Sequence, residues 1–266
     1  MSEGARKVLM AHTISYNPEN SKKLREQACA LSEYQQTAQA EIQVATQEGD
    51  LDKARGVLEA ATLRIKEYEN FRESLSKEEL LLAKYGVEVI NEHTILFVIP
   101  KGTSRISILE EANKLVLERD GRDLITPHQL PAWQKDKRFT KEQEASKRLC
   151  IDGHVQGVDG KTREEHEAFL NGKSTLMKKA AALLGLGLKE PFAMPEMQDL
   201  AVAFSLHWVA TGEPLFEEYA KQNGWSFAIR CVGGALGFGR RGLGGGRFFG
   251  GSDGDDVGVS ALVSPE

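Results

Sequence analysis

The sequence predicts an α+β protein in which long helices come first and a helix- and turn-rich body with a few short strands follows. Three observations carry this. Apolar and small residues recur at alternating four- and three-residue steps through the first third of the chain. The strand-like runs beyond it are short and do not alternate with helices in βαβ order. The last stretch, from Ser226, breaks in composition: up to Pro265 it holds no Lys, Glu, Gln, Met or Trp, all of which are used upstream.

Taken in order, Asn17-Pro18 reads as an N-cap with proline in the first turn of a helix. Leu24, Ala28, Leu31, Gln35, Ala38, Ile42 and Ala45 then form one stripe. Glu48-Gly49-Asp50 interrupts it, and Leu51, Ala54, Leu58, Ala61, Ile65, Tyr68 and Leu75 resume it. The break has the length of a helix–helix connection, so Pro18–Leu75 is expected to be an antiparallel helical hairpin. Small residues in its seam allow close approach but bury little area, which makes the hairpin a candidate oligomerisation or interaction module. With the short helix Lys77–Tyr85 and Gly86 it makes a first domain over 1–86; a second spans 87–266.

Val87–Ile90 and Thr94–Ile99, the second run β-branched, aromatic and stopped by Pro100, are expected to form a hairpin at the start of the second domain; alternatively, the second run opens that domain. Thr103/Ser104 begins a helix with Ile108, Leu109, Ala112, Leu115 and Val116 on one face, and Asp120-Gly121 ends it. A turn-rich connector with Pro127, Pro131 and Trp133 follows, then Leu149-Cys-Ile151 and the glycine-rich 152–160. Short helices are expected over Thr162–Leu170 and Ser174–Leu184. Pro195–Ala210 is the most apolar helix, stopped at Thr211-Gly212. Two apolar strands, Ser226–Val232 and Val257–Val263, then bracket a glycine-dense run with Arg, Phe and Asp set into it.

Composition limits the function classes. A charged fraction of 27% and an apolar fraction of 41% suit a soluble globular chain, and the net charge of −5 argues against wholesale nucleic-acid binding. Cys29, Cys150 and Cys231 show neither metal spacing nor a disulfide framework, which suits a reducing compartment. The N-terminal apolar patch is too short for a signal-peptide core, and no run is long enough for a membrane span. The expected location is therefore the cytoplasm, or a particle assembled there such as a phage.

Motifs that would mark an enzyme are incomplete. Gly172-Lys-Ser-Thr175 ends like a phosphate-binding loop, but Glu167 stands where the loop needs glycine and a helix precedes it instead of a strand. The run from Asp152 lacks the carboxylates of a calcium loop and has Arg163 at the closing position. The six histidines show no metal-binding helical spacing, and His207 within an apolar helix reads as a core residue. Cys231 reads as a buried thiol. No catalytic constellation, metal site or cofactor is expected.

The helix Pro195–Ala210, Trp225, the strand SFAIRCVGGAL, the irregular Gly/Arg/Phe/Asp run and the closing VGVSALVSPE together resemble the variable proteins of diversity-generating retroelements. The resemblance covers about Ile99 to the end. It implies a C-type-lectin-type fold for 87–266, with a diversified region over about 230–260 in which framework strand residues alternate with varied surface positions. It also implies randomisation at adenines, mostly in AAY codons. Codons randomised at their first two bases still end in a pyrimidine and cannot encode Lys, Glu, Gln, Met or Trp, the five types absent here. The same fold resembles formylglycine-generating enzymes, which use paired cysteines, whereas this segment has Cys231 alone.

The reading that follows is a non-catalytic display protein whose C-terminal surface binds a protein or other macromolecule. Phe227, Ile229, Val232, Leu236, Val259 and Leu262 are the expected framework. Phe238, Arg240, Arg241, Arg247, Phe248, Phe249, Ser252, Asp253 and Asp255 are the expected ligand-binding residues, rich in the aromatic and Arg side chains that dominate hot spots. Two alternatives stay open: nucleic-acid binding through the Arg/Gly run, and a structural or phage-like assembly role organised by the hairpin.

Overall fold

The computed structural model describes residues 17–91, 94–152, 165, 167–172, 174, 179, 192–215, 227–232, 234–239, 242–246, 257–259 and 261–263. Contacts divide the described residues after Gly86 into two units.

In the first unit, helix α1 runs over Pro18–Glu48, α2 over Leu51–Glu73 and α3 over Lys77–Lys84. The Asn17 side chain caps α1 by accepting from the Glu19 amide at 3.0 Å, with Pro18 in the first turn. Gly49 ends α1 at φ +78°, a left-handed conformation that glycine adopts without penalty, and Asp50 immediately caps α2 by accepting from the Lys53 amide. This back-to-back stop and start is the turn expected from Glu48-Gly49-Asp50.

The seam between α1 and α2 is thin. Leu24, Ala38, Ala45 and Ala61 are its buried apolar residues, flanked by the Lys23 ammonium over the Phe71 ring and the Arg64 guanidinium 3.9 Å from the Tyr34 ring. On α2 the covered row is Ala54, Val57, Ala61, Ile65 and Tyr68. The expected stripe is corrected at three positions: Gln35 on α1 is exposed, and on α2 Leu51 is 70% and Leu58 58% exposed. Leu51 is the first residue of α2, and the 3.6-residue period selects Val57 over its neighbour Leu58.

Glu79 fastens the base of this unit. It is buried, completes a capping box with Ser76, and accepts from the Asn20 amide at 2.8 Å and the Asn17 backbone N–H at 3.4 Å. The Ser21 hydroxyl adds a bond to the Glu79 carbonyl.

The second unit contains β1 (Glu88–Asn91), β2 (Thr94–Ile99), α4 (Arg105–Asp120), the short helices α5 (Gln129–Trp133) and α6 (Lys137–Thr140), and β3 (Lys147–Asp152). There follow β4 (Phe192–Ala193), α7 (Met197–Thr211), β5 (Phe227–Cys231), β6 (Gly234–Gly239), β7 (Gly242–Gly246), β8 (Val257–Val259) and β9 (Ala261–Val263). An open five-stranded antiparallel sheet has the order β1-β2-β3-β9-β4, and a four-stranded sheet has the order β7-β6-β5-β8. The architecture is α+β, with a helical N-terminal region and small open sheets.

Helix α7 organises the core. Every residue from Met197 to Ala210 is buried, and the helix packs against α4, β2 and β6. Its C-terminal carbonyls are held by Arg119, whose guanidinium donates to the Val209 oxygen at 3.2 Å and the Trp208 oxygen at 3.4 Å. Its first turn carries Asp199, 1% exposed, which accepts from Arg105 Nε at 3.0 Å and Lys147 Nζ at 2.8 Å. One carboxylate thus ties the starts of α4, β3 and α7 together. Strand β2 is covered on both faces, with Ile95, Phe97 and Ile99 fully buried and Leu96 nearly so, as its continuous apolar run requires.

Two sequence expectations for the C-terminal stretch change. Val257–Val263 is not one closing strand: β8 pairs in parallel with β5 in the smaller sheet, and β9 passes between β3 and β4 in the larger. The glycine-dense run is not irregular throughout, because β6 and β7 form a regular antiparallel hairpin from Ala235↔Gly246 to Gly239↔Gly242.

Candidate functional site

The hairpin β6–β7 and its neighbours β5 and β8 form a platform that carries Phe238, the one expected binding residue among those described. Two apolar residues anchor it, Leu236 on β6 at 1% and Leu243 on β7 at 0% exposure. They stand in strands otherwise composed of Gly, Ala and Phe, so most of the apolar contribution described in this hairpin comes from these two leucines. Phe238 lies in the ladder directly between Phe227 on β5 and Leu243 on β7.

A relay of polar contacts connects the platform to the helical core. Asn113, buried on α4, donates to Asp123 Oδ1 at 3.0 Å and accepts the Ile125 amide at 2.9 Å. This fixes the segment 123–126, which in turn grips β7: the Leu243 amide donates to the Leu124 carbonyl at 2.8 Å, and the Thr126 amide donates to the Leu243 carbonyl at 2.9 Å. Proline at 127 and the tight turn after it leave the backbone of 124–126 extended beside β7. On the far side, the Val232 amide donates to the Pro195 carbonyl, tying the end of β5 to the entrance of α7.

Cys231, at the end of β5, is 3% exposed, and burial pushes its thiol up to about 12 even though the Leu236 backbone and Arg138 pull the other way. Burial likewise raises Cys150 on β3, with Asp152 adding to it. Burial therefore disfavours the thiolate, the nucleophilic form, at both cysteines. His207 is buried and donates from Nδ1 to the Glu213 carbonyl at 3.0 Å, beside the Thr211 hydroxyl, so it closes the end of α7 as a core histidine. Among the described residues no group of three or more His, Cys, Asp and Glu could hold a metal ion, and no helix is long and apolar enough to cross a membrane.

The expected binding residues divide as follows. Phe238 is placed by its backbone in β6. Arg240, Arg241, Arg247, Phe248, Phe249, Ser252, Asp253 and Asp255 lie outside the described residues. Of the expected framework, Leu236 is buried, but Val232 is 42% exposed: it follows the last residue of β5, and its amide donates to the Pro195 carbonyl. The side chains of Phe227, Ile229, Val259 and Leu262 lie outside the described set. The loop from Asp152 also falls outside it beyond its first residue, whereas residues 167–172, ahead of Lys173 and Ser174, are helical.

Sequence reasoning missed Asn113, Thr126 and Asp199. Asn113 interrupts the apolar face of α4 beside Ala112, and Asp199 is the single acidic residue of the most apolar helix. A lone polar or charged residue inside an apolar stripe needs a buried partner, and that was the available signal.

Comparison of the chain with protein families, with curated proteins and with solved structures finds no match.

Proposed function

We propose that the C-terminal segment is a diversified binding face of C-type-lectin type, displayed without catalysis to a protein or other macromolecular ligand. The observation that carries this is the absence of Lys, Glu, Gln, Met and Trp from Ser226 to Pro265, the set excluded by pyrimidine-ending codons. The geometry around the run supports it. Both ends of the run are held by strands, β5 before it and β8 and β9 after it, and the hairpin within it is fixed by Leu236, Leu243 and the Asn113 relay. With these anchors fixed, exposed positions of the face can change at little cost, since surface substitutions typically cost within about ±0.5 kcal/mol.

The coding DNA tests the proposal. Expected is a near-copy of the 3′ end of the gene that differs at adenines and lies beside a reverse-transcriptase gene. Sibling sequences should vary between Gly237 and Asp256. A neighbourhood with no such copy, together with siblings invariant over that stretch, removes the reading. Steeply salt-dependent binding to RNA that is lost when Arg240, Arg241 and Arg247 are neutralised would replace it with the nucleic-acid alternative.

A further inference from the structure

Gly244 occupies the middle of β7 with an ordinary strand backbone. A Cβ built on it would stand 3.6 Å from Thr126 Oγ1 and 3.6 Å from Gln129 Oε1, which is normal van der Waals contact. Thr126 is 7% exposed, and its Oγ1 is buried without a hydrogen-bond partner. Its backbone amide donates to the Leu243 carbonyl, which holds the residue beside β7. Buried polar atoms are otherwise nearly always paired, and an orphan hydroxyl aimed at a side-chain-free position points to a group that belongs there.

We infer that position 244 is built to accept a hydroxyl-bearing side chain, which the scaffold would hold through Thr126 instead of presenting to a ligand. A serine Oγ lies one bond beyond the Cβ, within reach of the 2.5–3.0 Å range typical of O–H···O bonds to Thr126. The Gln129 amide oxygen offers a second acceptor for the serine proton. The inference deepens the proposed function in treating 244 as a varied position whose outcome is read by fixed residues outside the run. Its structural part stands on Gly244, Thr126 and Gln129 alone.

Thermal unfolding of the full chain, followed by tryptophan fluorescence, tests it with Gly244→Ala, Gly244→Ser, Thr126→Val and the double variant Thr126→Val/Gly244→Ser. Gly244→Ala should fold and hold or raise the midpoint, since the methyl meets only ordinary contacts. Gly244→Ser should exceed Gly244→Ala by about 2–4 °C, the shift expected of one added hydrogen bond in a unit of this size. Thr126→Val alone should cost little, because the hydroxyl has no partner to lose. The gain from serine should vanish in the double variant. A Gly244→Ala chain that fails to fold, a serine variant no better than alanine, or a gain that survives Thr126→Val each overturns the inference. Sibling sequences separate this from the retroelement reading. Invariance over 237–256 defeats that reading and leaves the stability result standing, whereas siblings that vary but carry long charged residues at 244 defeat the inference.

Discussion

Replacing Asp199 with alanine should destabilise the second unit more than any single change on its surface. The carboxylate is 1% exposed and faces Arg105, whose side chain is 8% exposed, and Lys147, 38% exposed. Removing it leaves the Arg105 guanidinium buried without its counter-charge, while Lys147 can turn toward water. Breaking a buried pair from one side costs about 3–5 kcal/mol, because the orphaned charge keeps its desolvation penalty. At about 2–4 °C per kcal/mol for a domain of 150–250 residues, the midpoint should fall by roughly 6 to 20 °C. Trp133, Trp208 and Trp225 all lie beyond Gly86, so tryptophan fluorescence follows this unit and leaves the hairpin unit silent. Lys147→Met should lower the midpoint far less, because a half-exposed pair contributes only about 0–1 kcal/mol. An Asp199→Ala midpoint within about 2 °C of wild type, less than 1 kcal/mol, would refute the reasoning that this carboxylate joins α4, β3 and α7.

Three further outcomes follow from particular residues. Burial alone would raise the Glu79 carboxyl above its ordinary 4.5, but the Ser76 and Asn17 amides and the Asn20 side chain outweigh it and hold the group below that value. Its stabilising effect is therefore fully present above about pH 4.5 and lost as pH falls through the lower folded value; Glu79→Gln should cost the hairpin unit about 1–3 kcal/mol at neutral pH and flatten its acid unfolding curve in circular dichroism. Iodoacetamide at pH 8 should label exposed Cys29 quickly and leave buried Cys150 and Cys231 unmodified until the chain unfolds, a contrast that peptide mass spectrometry reads directly. Leu58→Glu should change monomer stability by no more than about 0.5 kcal/mol because the residue is already exposed, and light scattering shows whether it dissociates an oligomer; a large loss of stability without a change in mass would mean that Leu58 is in the seam after all.

Signals that act locally are the most legible in the sequence. Asn17-Pro18, Gly49-Asp50, Ser104 and the glycines at 121 and 212 act within one turn of the residues they cap, and their helices begin and end within a residue or two of where those signals lie. The run Thr94–Ile99 is strand from end to end for the same reason: six β-branched and apolar residues stopped by proline leave little competition. Phase was harder to read. Choosing Leu58 over Val57 for the seam of α2 turns on a difference of one residue in a stripe made mostly of alanine, where hydrophobicity alone does not decide.

The C-terminal stretch shows where pattern stops being sufficient. Val257–Val263 reads as a single apolar strand, yet its halves pair with different partners, β8 in parallel with β5 and β9 between β3 and β4. Nothing within seven residues can specify that choice, because it depends on β5, β4 and β3, strands that lie well upstream in the chain. Glycine weakens the local signal further, having neither strand propensity nor an apolar face, so β6 and β7 depend on contacts made elsewhere. Among the described residues, Leu236 and Leu243 anchor the hairpin from within it, and the segment held by Asn113 grips β7 from outside. The grip on β7 from outside the run makes Asn113→Ala a sharp single perturbation of the platform. The substitution leaves the Ile125 amide and the Asp123 carboxylate without their partner, at about 1–3 kcal/mol each, and should loosen β7 in hydrogen exchange before α7 is affected. Protection of Leu243 that is unchanged in Asn113→Ala would mean that the platform holds itself, and the relay would lose its role.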